Sequence, residues 1–226
     1  MPYSINYFNE RIHDEVLSLS ADLLADYARC IELVAVDGPA PWVPRLRHVR
    51  WGLMELRLRG AMDTARVFLC ATEVGERPLR EGKPTVDAAV IVLHAYQEGQ
   101  FTAVQADALV DDARHSMRVR SLPRSGYRPQ LHDQRAFLGE VASREGFAAA
   151  YDSLADEYLL ARECVRVRIN ANLLQSVVAA SMGTTAGAVS RLEHANGTSP
   201  SLATLRRYSR ALGCELELRL IPIAPP

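Results

Sequence analysis

Lysine is almost missing from this chain: of 26 cationic side chains only Lys83 is not an arginine. Nearly every cationic contact therefore falls to arginine, whose planar fork suits phosphate oxygens. No apolar run approaches the roughly 20 residues that a bilayer-spanning helix needs, which excludes a helical membrane span. The start, Met1-Pro2-Tyr3-Ser4, lacks the basic-then-apolar pattern of a secretory signal, and a cytoplasmic protein is expected. Four cysteines, Cys30, Cys70, Cys164 and Cys214, lie far apart with no Cys-x-x-Cys pair, so neither a zinc site nor a disulfide framework is indicated. No metal and no cofactor is expected. A charge excess of one sign is missing too, because the net charge is only −1.

That small number hides an asymmetry. Residues 1–120 hold 14 cations against 17 carboxylates, net −3, and residues 121–226 hold 12 against 10, net +2. Neither half has the strongly cationic footprint that phosphate neutralisation favours, although the C-terminal surplus is compatible with a nucleic-acid partner. With 226 residues, 48% hydrophobic and 23% charged, the chain has the composition of a globular protein of two small domains. Ser121, Pro123, Ser125, Gly126 and Pro129 interrupt any helical or strand period, which predicts a domain over 1–120, a linker over 121–132 and a second domain over 133–226.

Within the first domain the pattern predicts an α+β fold, with two helices on a small antiparallel sheet. Ser4 to Phe8 reads as a strand, Asn9 to Ser18 as a short helix, and Ser20 caps a longer helix. Leu23, Leu24, Tyr27, Ile31 and Val34 recur at helical spacing along it, and Asp37-Gly38-Pro39 ends it. Trp51–Arg59, Ala65–Ala71 and Val90–Ala95 read as a meander of three antiparallel strands, with a turn-rich loop over Gly75–Ala88. A helix over Thr102–Met117 closes the domain. Downstream, His132–Ser143 and Phe147–Asn170 read as helices, the second with a kink or break at the cap-forming residues Asp152 and Ser153. Ser201–Leu212 follows as the last helix, and Cys214–Ile221 alternates as a final strand with no partner in its own domain, an edge suited to dimer formation.

Between these helices lies the most distinctive stretch. Gln175 opens a short helix, Gly183 turns the chain, Thr184 or Thr185 caps a second helix, and Ser190-Arg191-Leu192-Glu193 closes it. Together with Arg168-Ile-Asn-Ala-Asn-Leu173, Pro200-Ser-Leu202 and Ala211-Leu-Gly213, these residues resemble the Xre/Cro-type helix-turn-helix family over roughly 55 residues. The resemblance implies double-stranded DNA as partner, with one helix laid in the major groove. Leu173, Val177, Met182, Val189 and Leu192 are the expected core. Gln175 is the expected phosphate contact, and Thr184, Thr185, Ala186, Gly187, Ser190 and Arg191 lie nearest to base edges or backbone. Glu193 is implied to tie the bundle together. Two departures stand out: Leu174 replaces the usual threonine cap, and Ala186-Gly187 occupy places where relatives carry glutamine and serine. Arg206, Arg207 and Arg210 read either as phosphate contacts or as a solvated helix face. A docking module that has lost DNA binding is the competing reading of the whole bundle.

The first domain's order of elements, with Tyr7-Phe8-Asn9-Glu10, Leu53-Met-Glu55-Leu-Arg57, Arg66-Val-Phe68 and Val92-Leu93-His94-Ala95-Tyr96, resembles the RelE/HigB superfamily of ribonuclease toxins. Phe147 to Arg162 resembles the approach to a HigA-type antitoxin's helix-turn-helix, so the chain resembles a toxin and an antitoxin joined into one polypeptide. Such toxins cleave mRNA at the ribosome by holding a phosphodiester among cations beside a proton-transfer residue. Arg57 and Arg66 are the matching cations and His94 the matching acid or base. The alternatives are strand charges paired with Glu55 or Glu73, and a structural histidine. Where relatives carry a lysine-rich turn the chain reads Gln97-Glu98-Gly99-Gln100, which implies a weakened or inactive ribonuclease. The reading that results is a homodimeric transcriptional repressor acting on a palindromic operator, with a self-inhibited endoribonuclease or a mobile-element interaction module as alternatives.

Overall fold

The computed structural model describes residues 3–49, 52–72, 89–99, 108, 111–112, 115, 127–194 and 199–220. It separates into two compact units, Met1–Tyr158 and Leu159–Pro226. No helix among the described residues is long and apolar enough to cross a membrane.

The first unit begins with β1 (Ser4–Tyr7), α1 (Glu10–Leu17) and α2 (Ala21–Asp37). Both helices start where the side chains dictate: Asn9 Oδ1 accepts from the Ile12 N–H at 3.2 Å, and Ser20 Oγ accepts from Leu23. Gly38 ends α2 at φ 68°, a conformation that costs glycine nothing. The apolar positions Leu23, Leu24, Tyr27, Ile31 and Val34 are all buried, as their spacing requires.

Six strands form one sheet. β2 (Leu46–His48), β3 (Leu53–Arg59), β4 (Thr64–Thr72) and β5 (Ala89–Gln97) run antiparallel in succession. The expected meander is therefore present, but the sheet is mixed. β1 pairs parallel with β5, which the long excursion between them permits, and β6 (Gln130–Leu131) pairs antiparallel with β1. β2 and β6 were not expected, and β6 lies inside the segment read as a linker. Hydrogen bonds from the N–H of Arg128 to Phe8 O and of His132 to Ile5 O extend that pairing at 3.0 and 2.9 Å. The loop expected over Gly75–Ala88 and most of the helix expected over Thr102–Met117 lie outside the described residues.

α3 (Gln134–Val141), capped by Asp133, and the first half of α4 (Phe147–Asn170) complete this unit. The break expected at Asp152 and Ser153 does not occur. Ser153 donates its hydroxyl to the Ala150 carbonyl at 2.8 Å, within the helix, rather than capping a new one. A chain of polar contacts ties these elements to α2. The Tyr7 hydroxyl lies 2.7 Å from His132 Nδ1, His132 Nε2 lies 2.7 Å from Gln134 Oε1, and Gln134 donates to Glu32 at 3.1 Å. Tyr151 donates to the same Glu32 carboxylate, and its ring carries the Arg29 guanidinium 3.5 Å above it. Deeper in, Tyr158 donates to Asp26 at 2.5 Å, while Arg45 and the Arg59 N–H approach the other oxygen at 3.5 and 2.8 Å. Every side chain of that buried group has a partner, which is what makes its burial tolerable.

The second unit contains the end of α4, then α5 (Gln175–Met182), α6 (Ala186–Glu193) and α7 (Leu202–Ala211). Its core is Cys164, Val178, Ala179, Met182, Val189 and Tyr208, with Leu173 and Leu192 partly buried against it. Val177 was expected in that core and is 50% exposed. Because α5 starts at Gln175, helical steps of three and four select Val178, Ala179 and Met182, and Val177 turns outward. Among the described residues the final strand expected at Cys214–Ile221 is not formed. Residues 214–220 have no ladder partner, and 221 lies outside the described residues.

Candidate nucleic-acid interface

The turn between α5 and α6 is built by three local interactions. Gly183 adopts φ 65° and ψ 40°, the left-handed conformation that lets a helix end while its last carbonyls are still satisfied, and the Thr184 N–H reaches back to Ala179 O at 2.9 Å. Thr185, not Thr184, then caps α6, its hydroxyl accepting from the Ala188 N–H at 3.2 Å. The outer surface of α6 follows: Thr184, Thr185, Ala186, Gly187 and Arg191 are exposed, and Ser190 is half-buried. Gly187 leaves the space above the first turn open, and the Arg191 guanidinium occupies its border, 3.7 Å from where a Cβ would stand. His194 Nδ1 lies 2.6 Å from the Ser190 backbone carbonyl and 3.4 Å from its hydroxyl.

Beneath this surface sits a carboxylate. Glu193 is 1% exposed and receives two parallel bonds from Arg168, Nε at 2.7 Å and Nη2 at 2.8 Å, together with one from Gln175 Nε2 at 2.8 Å. The Tyr208 hydroxyl lies 2.7 Å from it and 2.9 Å from the Cys164 carbonyl. One side chain on α6 is thus bonded to α4, α5 and α7 together, which fixes the angle at which α6 is presented. Burial and the Glu193 charge push the Tyr208 hydroxyl far up from its ordinary range, so it remains a donor. The same bond to Glu193 raises Arg168. Arg168 and Tyr208 carry no sequence signal of this role, because 25 and 15 residues separate them from Glu193 with no local period to follow.

Gln175 is half-buried at the start of α5. Its amide nitrogen is engaged by Glu193, and Leu174 offers no side-chain cap to the first turn of α5, so any anion there would meet backbone N–H groups. Arg206, Arg207 and Arg210 are exposed on α7. The unit from Leu159 onward holds eight arginines against four glutamates, net +4, whereas Met1–Tyr158 holds 18 cations against 23 carboxylates, net −5. Division at the structural boundary makes the asymmetry sharper than division at residue 120.

In the first unit Arg57 and Arg66 stand directly opposite each other on β3 and β4. With Arg45, Arg59, Thr64 and Glu98 they line a cavity of about 220 Å³. Both are occupied by carboxylates. Arg57 Nε donates to Glu55 at 3.0 Å, Arg66 Nη1 lies 3.1 Å from the other oxygen of Glu55, and Arg66 Nε donates to Glu98. Thr64 donates to Glu98 at 2.6 Å, and these bonds hold the Glu98 carboxyl below the usual range despite its partial burial. His94 does not line this cavity. It is buried on the same sheet face, opposite Phe68, with Nδ1 on the Glu15 carboxylate of α1.

Comparison with known proteins agrees with the geometry of the second unit. Residues 166–218 match the helix-turn-helix family. No curated protein and no solved structure matches the chain. The matched segment spans α5, α6 and α7, the elements that carry the turn and the buried Glu193.

Proposed function

We propose that this protein is a sequence-specific transcriptional repressor that binds a two-fold symmetric operator as a homodimer, near its own promoter. The observation that carries this reading is the outer face of α6. Thr185, Ala186, Gly187 and Arg191 are exposed and held at a fixed angle by the buried Glu193, on a unit of net +4. Small side chains at Ala186 and Gly187 bring the backbone close to the groove but supply no hydrogen bonds to bases. Readout then rests on Thr185, Ser190, Arg191 and the shape of the duplex.

We propose further that residues 1–120 derive from a RelE/HigB-like toxin fused to a HigA-like antitoxin over 133–226, and that the ribonuclease chemistry of the first part is attenuated. The strand-helix-helix-meander order supports the resemblance. The pairing of Arg57 and Arg66 with Glu55 and Glu98, and of His94 with Glu15, supports the attenuation, because a phosphodiester entering there must displace carboxylates from each cation. A unit of net −5 also repels ribosomal RNA.

Selection of the full chain against randomised duplexes at modest ionic strength tests the regulator. The expected product is a pair of inverted half-sites about one helical turn apart, bound with a steep salt dependence. No enrichment of any sequence would overturn the reading. Expression of the full chain with intact cellular mRNA and normal growth is the matching expectation for the attenuated half.

A further inference from the structure

We infer that Cys214–Leu220 forms an antiparallel two-stranded ribbon with the same segment of a second copy, in the register centred on Leu218. The inference rests on the homodimer proposed above and specifies how its two chains meet.

Three features of the segment lead to it. Leu216, Leu218 and Leu220 alternate with Glu215, Glu217 and Arg219, the period-two pattern of a strand with one apolar side. Leu218 and Leu220 are nevertheless exposed. Among the described residues, the last backbone hydrogen bond of this region runs from the Cys214 N–H to Ser209 O, and 215–220 make none. Arg219 Nε donates to Glu217 Oε1 at 2.5 Å, so these two polar side chains lie on one side of the segment, as positions two apart do in an extended chain.

A two-fold pairing allows few registers, because residues opposite each other must share a face of the ribbon. Any register that sets an odd position against an even one mixes leucine with charge and is excluded by the alternation. Centring on Glu217 sets Glu217 against its own copy, centring on Arg219 sets Arg219 against its own copy, and centring on Leu216 sets Glu215 against Glu217. Like charges directly opposite oppose pairing. Centring on Leu218 sets Glu217 of each chain against Arg219 of the other, Leu216 against Leu220, and Leu218 against itself. That register alone satisfies both the charges and the apolar side. It turns an intrachain ion pair, both partners of which are largely exposed, into two interchain pairs across the ribbon.

The test uses the full chain with Cys214→Ser, the remaining cysteines being buried. Under mild oxidation Leu218→Cys is expected to give a covalent dimer much faster than Leu216→Cys or Leu220→Cys. By sedimentation, Glu217→Arg and Arg219→Glu are each expected to weaken dimerisation at least about tenfold. Mixing the two variants is expected to restore a dimer, because each then presents the charges that the other needs. Equal cross-linking at Leu216→Cys, capture of the segment by a sheet edge of the chain, or a dimer indifferent to both charge variants would overturn the register. A wild-type chain that selects an operator and sediments as a dimer, while its Glu217→Arg variant also remains dimeric, refutes only the ribbon. A wild-type chain that is monomeric on and off DNA refutes the homodimer itself.

Discussion

Two groups of arginines occupy the two units of this protein under opposite circumstances. Arg57 and Arg66 face each other across β3 and β4, and the pair is tolerated because the buried Glu55 carboxylate bonds both and Glu98 bonds Arg66 again. Arg191, Arg206, Arg207 and Arg210 are exposed, with no carboxylate partner among the described residues. In the helix-turn-helix unit the one buried carboxylate, Glu193, is satisfied from below by Arg168, Gln175 and Tyr208, and so does not compete for the outer cations. What makes an arginine available to phosphate is therefore the absence of a nearer acid, and the count of arginines says little about it.

The sharpest way to break this comparison is to exchange the roles of the carboxylates. Glu193→Ala leaves Arg168 and Tyr208 with an uncompensated charge and hydroxyl inside the bundle, and should cost the second unit about 3–5 kcal/mol. A denaturation curve followed by circular dichroism should lose its helical transition for that unit. Glu98→Gln, at a position more than a third exposed, should cost well under about 1 kcal/mol. Equal effects would mean that Glu193 is no hub.

Next in size is the effect on DNA. Arg191→Ala should raise the dissociation constant for the selected operator by an amount equivalent to about 1–3 kcal/mol, read by gel shift. Arg66→Ala should leave it unchanged. An unchanged affinity for Arg191→Ala would remove the strongest distinction drawn between the two groups.

The reading of the sequence succeeded where a structure is decided locally. Ser20 and Ser201 each cap a helix as expected, and Thr185, one of two threonines expected, caps a third, each by bonding an N–H three residues on, an interaction contained within four residues. It failed where the deciding contact is distant. β6 is two residues long and exists because β1 is there to pair with it, so nothing in Gln130–Leu131 alone marks a strand. The Arg59 amide on Asp26, the Arg45 guanidinium beside it and the Tyr158 hydroxyl above it join positions up to 132 residues apart. Of the candidate site, the exposed face of α6 was legible because a cap and a turn define it. The bond from Gln175 to Glu193 was not, since it spans 18 residues across the bundle. Val177 was misplaced although the start of α5 at Gln175 was read correctly, because which face of a short apolar helix is buried depends on the helices packed against it.

Acidification should separate the units. His132 is held by the Tyr7 hydroxyl and by Gln134, and burial pushes its imidazole below the ordinary histidine range. The folded form therefore binds this proton less readily than the unfolded chain, whose histidine titrates near about 6.5. Stability is retained above that pH and declines as pH falls toward the lower folded value, by at most about 1.4 kcal/mol per pH unit for one proton. Among the described residues the second unit has no buried histidine. The first unit's unfolding midpoint should fall between pH 7 and 5, and His132→Asn should flatten that slope. A slope unaffected by the substitution would assign the proton elsewhere.

The smallest effect concerns Gly187, and it separates folding from binding at one position. A Cβ added there meets nothing closer than the Arg191 guanidinium at 3.7 Å and the Thr185 hydroxyl at 3.9 Å, both ordinary contacts. The φ is not in the left-handed range, so alanine fits the backbone without strain. Gly187→Ala should then stabilise the second unit by roughly 0.5–1 kcal/mol, through a less flexible unfolded chain and a better helix former. If α6 enters the groove by the face that Ala186 and Gly187 leave bare, the added methyl group occupies the space that the duplex needs, and operator affinity should fall while the melting temperature rises. A rise in both would place the DNA against another surface, and the free arginines of α7 would become the next to test.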